Sequence, residues 1–135
     1  MILLDTNICK AVIREDRRVT SHLLRHAGRI YLPFVVSAEL YFGVEKLEHA
    51  GHDARALREA IDELHALVQG IVQTSPDSLM AYARLRAQLE AAGTPIGNND
   101  QWIAAQALSE DALLVSDNLR EFKRVPGLRL ENWLR

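Results

Sequence analysis

Short apolar runs alternate with longer amphipathic segments along the whole chain. Five runs rich in aliphatic residues are typical of buried strands, and they lie at 1–4, 29–32, 70–73, 112–115 and 128–130. Apolar residues spaced three or four positions apart predict helices at 7–14, 18–27, 34–50, 54–68, 76–92, 100–110 and 119–124. Because strands that alternate with helices pair in parallel, the pattern predicts an α/β fold with helices on both faces of a sheet.

Two residues in or beside the predicted helices carry local predictions. Gly43 lies inside the helix at 34–50, where glycine costs about 1 kcal/mol relative to alanine. A glycine retained there predicts that another part of the backbone approaches closely. Asp53 precedes the next helix and is typical of an N-cap.

The length and composition predict one domain spanning 1–135. The 48% hydrophobic and 25% charged residues are ordinary for a soluble globular protein with a single core. No apolar run approaches the roughly 20 residues that a membrane helix needs. The one cysteine, Cys9, cannot form an internal disulfide or a thiolate-rich zinc site. We therefore expect a protein of the reducing cytoplasm that does not span a membrane.

Charge is unevenly distributed although the net charge is only −2. Residues 10–29 hold six bases against two acids, and residues 120–135 hold five bases against two acids. Residues 39–63 hold seven acids against three bases. Basic patches beside an acidic site could attract a phosphate backbone. On charge alone, solvated helix faces are the better interpretation.

Candidate site residues lie at four places, and three of these places follow a strand end or open a helix. Asp5 follows the first strand, Glu39 lies in the first turns of a helix, Asp100 opens another helix, and Asp117 and Asn118 follow the fourth strand. Each place has an ordinary structural alternative: a helix cap, a surface glutamate, a helix N-terminus and a turn. Their joint placement favours a shared site, because parallel α/β sheets bind ligands at the carboxyl ends of their strands.

Such a site predicts a divalent cation. Several carboxylates close together repel one another, and some would take up protons unless a cation compensates. Oxygen ligands without histidine or cysteine favour Mg²⁺ over Zn²⁺, and Mn²⁺ can substitute for Mg²⁺. Such an ion can orient a phosphate and activate a water. His22 with His26, and His49 with His52, also have ligand spacing, but they lie away from the strand ends and are more typical of surface histidines.

Four motifs in register resemble the PIN-domain ribonucleases, specifically the VapC-type toxins of bacterial toxin–antitoxin pairs. They are LDTN at 4–7, SAELYFG at 37–43, PIGNNDQWIAA at 95–105 and LVSDNLREFKRVPGLRLENW at 114–133. The likeness covers the whole chain in the family's order and spacing. The resemblance implies a three-layer α/β/α sandwich with a central, mostly parallel sheet. It also implies that Asp5, Glu39 and Asp100 are catalytic acids that hold the metal.

The chain departs from the family pattern at a fourth acid. In the family this acid often lies two residues after the Ser or Thr that follows the last central strand. Here that position is Asn118, and Asp117 lies one residue earlier. The resemblance leaves two roles open, a neutral oxygen ligand from Asn118 or an action of Asp117 through a water.

The activity that the resemblance implies is that of a Mg²⁺-dependent endoribonuclease toxin, which cleaves tRNA or another structured RNA with metal-activated water. The implied partners are a small VapB-like antitoxin that covers the site and a second copy of the chain in a homodimer, which together form a larger hetero-oligomer. Contacts to RNA are expected at Arg17, Arg18, Asn7 and Ser116. A PIN-like module that only binds RNA or protein is the alternative, and the presence of the three principal acids argues against it.

Overall fold

A five-stranded sheet forms the centre of the computed structural model, which describes all 135 residues. The strands are β1 (Ile2–Leu4), β2 (Ile30–Pro33), β3 (Ile71–Val72), β4 (Leu113–Val115) and β5 (Arg129–Glu131). They lie in the order β3-β2-β1-β4-β5, and every neighbouring pair is parallel. The predicted α/β fold is confirmed, and the sheet is wholly rather than mostly parallel.

Seven helices connect the strands. They are α1 (Thr6–Ile13), α2 (Arg17–Arg25), α3 (Phe34–His49), α4 (Arg55–Leu67), α5 (Pro76–Ala91), α6 (Asn98–Ser109) and α7 (Leu119–Phe122). Every predicted helix is present. The start of α6 lies earlier than predicted, because Gly97 is its N-cap and the Gly97 carbonyl accepts the first helical hydrogen bond, from Gln101 at 2.9 Å. Asp100 therefore lies within the first turn rather than at the first residue of the helix.

The helices form one layer on each face of the sheet. From β1 the chain moves to β2 and β3 on one side, and it then returns past β1 to β4 and β5 on the other. Because such crossovers are right-handed, α1 to α4 cover one face and α5 to α7 cover the other. In agreement, α1 packs on α2, α3 and α4, and α5 packs along α6. The direction in which the chain winds along the sheet reverses between β1 and β4. The carboxyl ends of these two strands therefore border the crevice in which α/β sheets bind ligands.

The central strand β1 is buried because helices cover both faces of the sheet. All three of its residues are at most 1% exposed, and Ile2 lies between Ile30 and Leu113 of the neighbouring strands. These aliphatic side chains belong to one continuous core. Burial of each contributes about 1.5–3 kcal/mol, which fixes the position of the strand end that carries Asp5. None of the helices combines the length and apolar character needed to cross a membrane.

The predictions for Gly43 and Asp53 are wrong. A Cβ at Gly43 would meet no heavy atom within 4 Å beyond its own part of the helix, so nothing requires a glycine there by close approach. The N-cap of α4 is Ala54, and no side chain caps this helix. Asp53 lies one residue too early, and its carboxylate instead accepts the Arg55 backbone N–H at 3.0 Å and pairs with the Arg55 guanidinium at 2.9 Å.

Trp133, beyond the last strand, packs against two of the histidines. His22 lies on α2 and His26 is the C-cap of that helix, and their rings stack on the indole with centroid distances of 4.8 and 5.4 Å. Trp133 is only 2% exposed, so the stack ties α2 to the C-terminal segment. His22 and His26 nevertheless stay partly exposed, so the interpretation as surface histidines is consistent with the structure, and His49 and His52 are exposed.

We expect Gly43→Ala to stabilise the protein by about 0.5–1 kcal/mol, because alanine restores helix propensity where a Cβ has free space. Gly93 is a matched control: it also has free space for a Cβ, but its φ of +69° is left-handed. Gly93→Ala should therefore destabilise by about 1 kcal/mol or more. Urea unfolding of both variants measures the two effects, and a destabilised Gly43→Ala protein would contradict the prediction.

Candidate active site

Asp5 occupies the crevice between β1 and β4, where it is 4% exposed and forms the N-cap of α1. Its Oδ1 accepts the Thr6 backbone N–H at 2.7 Å. Its Oδ2 accepts the Ser116 hydroxyl at 2.6 Å and the Asn7 amide at 3.1 Å. Burial raises the pKa of Asp5, although the hydrogen bonds from Ser116 and Thr6 act in the opposite direction. One carboxylate therefore serves both as a helix cap and as a group of the crevice.

Glu39 reaches the same crevice from the second turn of α3. Its Oε2 accepts the Thr6 hydroxyl at 3.3 Å, and its Oε1 accepts the Asn99 amide at 3.1 Å. These contacts join the N-terminal parts of α1, α3 and α6. This geometry is consistent with the predicted placement of Glu39 near Asp5. The negative charge of Glu39 also contributes to the raised pKa of Asp5.

Asp100 lies in the first turn of α6 and faces Glu121 of α7, a residue that the sequence did not single out. The two carboxyl groups share a hydrogen bond, and the Asn118 amide donates to Asp100 at 3.2 Å and to Glu121 at 3.4 Å. Burial raises the pKa of Asp100 to about 7, and the hydrogen bond to Glu121 and the charge of Asp5 add to the effect. The hydrogen bond from Asp100 lowers the pKa of Glu121, so the two carboxyl groups titrate as a pair.

The sequence contains one signal that could have identified Glu121. It lies three residues after Asn118, and residues three apart on a helix face the same side. Once Asn118 is placed beside Asp100, Glu121 must therefore lie near Asp100 as well. Without the tertiary structure, Glu121 is one of several charged residues in a basic segment.

Asp117 and Asn118 face different partners. The Asp117 carboxylate accepts the Asn132 amide at 2.8 Å and pairs with the Arg135 guanidinium at 3.5 Å, both in the C-terminal segment. Asp117 therefore does not contact the other acids, and this geometry disfavours the direct catalytic role predicted for it. Asn118 does reach Asp100, because the tight turn after β4 points its side chain toward α6.

The four residues expected to contact RNA have different surroundings. Asn7 and Ser116 are part of the acid site: Asn7 donates to Asp5 and accepts the Asp117 backbone N–H at 2.9 Å, and the Ser116 hydroxyl accepts the Asn118 N–H at 2.9 Å. Their hydrogen bonds support the acids, so direct RNA contacts remain a prediction for this pair. Arg17 and Arg18 begin α2, are exposed, and contact none of the four acids.

The donor set of the crevice fits a divalent cation. In the arrangement seen, no group of three or more His, Cys, Asp or Glu side chains is closed around a point that could hold an ion. The carboxylates are instead held by hydroxyl and amide donors, and like charges stay apart when no cation joins them. Mg²⁺ needs only one or two carboxylates because it keeps several waters. The raised pKa values of Asp5 and Asp100 indicate that these oxygens lack a nearby positive charge.

The fold is that of a known class. The PIN domain family matches residues 2–128 of the chain. The chain is therefore a member of the PIN-domain family.

Individual relatives narrow the assignment. Ribonuclease VapC2 of Haemophilus influenzae is 38% identical over 133 residues, which cover 98% of this chain and 97% of that protein. The tRNA(fMet)-specific endonuclease VapC of Salmonella typhimurium is 31% identical over 135 residues and covers 97% of this chain and 96% of that protein. The crystal structure of VapBC2 from Rickettsia felis bound to a DNA fragment from their promoter has a TM-score of 0.87 at 36% identity, covering 98% of this chain and 99% of that one. Within the PIN family, the chain belongs with the VapC proteins.

We expect Asp100→Asn to change how stability depends on pH in protein kept free of metal with EDTA. An unfolded aspartate ionises near pH 3.9, whereas folded Asp100 does so at about 7. The wild type therefore loses stability as pH rises between these values, and the loss is complete above about pH 7. The asparagine variant lacks this loss, so its stability relative to wild type should increase from pH 4 to 7 and then level off. Urea unfolding of both proteins at pH 5, 6 and 8 measures this difference in stability. A difference that does not change with pH would contradict the raised pKa of Asp100 as its cause.

Proposed function

We propose that this protein is the endoribonuclease toxin of a toxin–antitoxin pair and requires Mg²⁺, for which Mn²⁺ can substitute. The observation that carries the proposal is the crowding of Asp5, Glu39, Asp100 and Glu121 at one crevice, which helps to raise the pKa of Asp100 to about 7. A carboxyl group whose pKa is raised by folding destabilises the protein at neutral pH. Such a cost at the ligand-binding edge of an α/β sheet is typical of a functional site. The ribonuclease names of the relatives support the same activity.

Asp5, Glu39 and Asp100 are the residues that would hold the cation, with Glu121 beside them. When bound, a divalent cation supplies positive charge next to a phosphate and lowers the pKa of a water. The chain itself supplies positioning, because hydroxyl and amide donors fix each carboxylate before substrate arrives. The Asp5 carboxylate is the most rigidly held, since it follows a buried strand and accepts three hydrogen bonds.

The histidines argue against a cleavage route through the 2′-hydroxyl of the RNA. That route needs a general base and a general acid, and histidine is the usual residue. His22 and His26 stack on Trp133, and the His65 ring is bonded to the Ser37 hydroxyl at 2.9 Å. The other two histidines lie at and beyond the end of α3. None of the five contacts the acids, so attack by water is the better-supported route.

We infer that the substrate is tRNA or another structured RNA. The support is the Salmonella relative, which is named a tRNA(fMet)-specific endonuclease. The basic residues at 10–29 and 120–135 could bind the phosphate backbone. Within the first segment, Arg18 pairs with Asp16 at 3.2 Å, whereas Arg17 is exposed and forms no ion pair. Arg17 is therefore the better candidate of the two for an RNA contact.

We infer that the partner is a small VapB-like antitoxin, because the similar Rickettsia structure is a VapBC complex. A largely apolar groove of about 370 Å³ runs between α1, α2 and α4 and offers a surface for it. Leu24 is 76% exposed and Leu67 is 67% exposed at this groove, which is unusual for leucine in an isolated chain. An amphipathic segment of the antitoxin would cover both side chains.

The remaining inferences rest on the same relatives. We propose that residues 1–135 act as one cytoplasmic domain, that two copies form a homodimer, and that the antitoxin joins them in a larger hetero-oligomer. A PIN-like module that only binds RNA or protein is disfavoured, because such a module would have no use for a cluster of acids that costs stability.

Cleavage of RNA should stop on addition of EDTA and return with excess Mg²⁺ or Mn²⁺, and the products should carry 5′-phosphate ends. Asp5→Asn should reduce the rate by about 100-fold or more, because it removes a charge that would hold the cation. Asp117→Asn is the matched control: its carboxylate faces the C-terminal segment, so the rate should stay within about threefold. Products with 2′,3′-cyclic phosphates formed in EDTA would refute the proposed function.

Leu67→Asp should weaken antitoxin binding by about 10-fold or more without changing RNA cleavage, because it places a charge in the apolar groove. Leu79→Asp on α5 is the control, since Leu79 is also exposed, at 56%, but lies outside the groove. A small VapB-like protein that co-purifies with the chain would serve as the antitoxin, and its inhibition of cleavage would be titrated. Equal inhibition of both variants would place the antitoxin elsewhere.

A further inference from the structure

Two open clefts adjoin the acids, and they differ in polarity. One has a volume of about 460 Å³ and no hydrophobic lining, and its residues are Glu39, Gly97, Asn98, Asn99 and Asp100. The other has a volume of about 260 Å³ and is mainly apolar, and its residues are Val35, Ala38, Glu39, Phe42 and Asn99. Because Glu39 and Asn99 line both, the two clefts are adjacent, with the polar cleft at one end of the pair and the apolar cleft at the other end.

Phe42 forms the aromatic part of the apolar end. It lies three residues after Glu39 on α3, so the two side chains face the same side of the helix. The Phe42 side chain is 64% exposed, and no aromatic ring of the chain stacks on it. Two smaller apolar residues, Val35 and Ala38, complete the lining. An exposed aromatic face next to an acidic site is suited to binding a flat, apolar group.

Asn99 adds one polar contact to the apolar cleft. Its amide nitrogen donates to Glu39 Oε1 at 3.1 Å, which fixes the orientation of the side chain. Its amide oxygen accepts no hydrogen bond from the protein and remains available as an acceptor. A group bound against Phe42 could therefore donate an N–H to Asn99 from its edge.

A nucleotide has the same division into a polar and an apolar part. Its phosphate and ribose are polar, the faces of its base are apolar, and the edge of its base carries N–H donors. Resting on the proposed ribonuclease function, we propose that the apolar cleft binds the unpaired base next to the phosphate that is cut, stacked on Phe42. Since a paired base is not free to stack, the cleft selects cleavage sites in loops or single strands.

The test is a double-mutant cycle between Phe42 and the bases of a ten-nucleotide single-stranded RNA. All proteins carry Asp5→Asn so that the RNA stays intact, and fluorescence anisotropy in Mg²⁺ measures binding. The RNA is used intact and with one abasic nucleotide at each position in turn. Phe42→Ala removes the aromatic face, and Phe42→Tyr retains it. Phe34→Ala is the matched control, because Phe34 is also an exposed phenylalanine of α3, at 46%, but lines neither cleft.

We expect Phe42→Ala to weaken binding of the intact RNA by about 5- to 100-fold, the usual effect of losing one base stack. In the parent protein, the abasic nucleotide at one position should cause a loss of similar size. In the Phe42→Ala protein, an abasic nucleotide at that same position should cause no further loss of RNA-binding affinity. Phe42→Tyr and Phe34→Ala should behave like the parent.

Three results would overturn the base site. They are an unchanged RNA affinity of Phe42→Ala, affinity losses from Phe42→Ala and the abasic nucleotide that add at every position, or no measurable RNA binding by the parent protein. If Phe42→Ala instead converts a dimer to a monomer on size exclusion while the abasic losses persist, this face is a contact between copies of the chain and the base site is refuted. The cycle is independent of cleavage. Failure of the wild type to cut RNA in Mg²⁺ refutes the proposed function, whereas additive losses with normal cleavage refute only the base site.

Discussion

The hydrogen bond between Ser116 and Asp5 is the contact on which the whole site depends. The two side chains are 0% and 4% exposed, so each has lost its contact with water, and the hydrogen bond between them offsets part of that cost. The pairing of β1 with β4 produces the contact directly. Leu4 lies opposite Val115, and the next residue of each strand is therefore the acid or its hydroxyl donor. Strand register alone therefore places the buried Asp5 carboxylate between β1 and β4, where the winding direction of the chain reverses, and no flexible segment is involved.

Neutral donors distinguish this site from a structural ion-pair network. Asn7, Asn99 and Asn118 each donate to an acid from a different element, and no lysine or arginine side chain contacts the four carboxylates. An arginine would satisfy a carboxylate and neutralise it at the same time. An amide holds the oxygen in place but leaves the negative charge uncompensated. The result is a fixed acidic site that is suited to a cation and that costs stability without one.

The C-terminal segment supports the site from behind. Asn132 and Arg135 hold Asp117, and the Asp117 backbone N–H is bonded to Asn7, so the turn after β4 is fixed on both sides. Trp133 meanwhile packs against the histidines of α2. The turn presents Asn118 and begins the helix that carries Glu121. Residues far from the acids therefore determine where the fourth carboxylate lies.

The sequence by itself determined the elements, the α/β class and the placement of Asp5, Glu39 and Asp100. Strands and helices follow from local hydrophobic periodicity, and Asp5 and Asp100 adjoin element ends that periodicity also locates. Glu39 could be placed because it lies in the first turns of a helix that starts at a strand end. Only the tertiary structure showed that Asn118, and not Asp117, contacts Asp100, brought Glu121 to Asp100, and gave His22 and His26 a partner in Trp133. These outcomes depend on the direction of side chains in one turn and on contacts across more than 100 residues of chain. Local preferences are too weak to specify such contacts, which form when the whole sheet closes around its core.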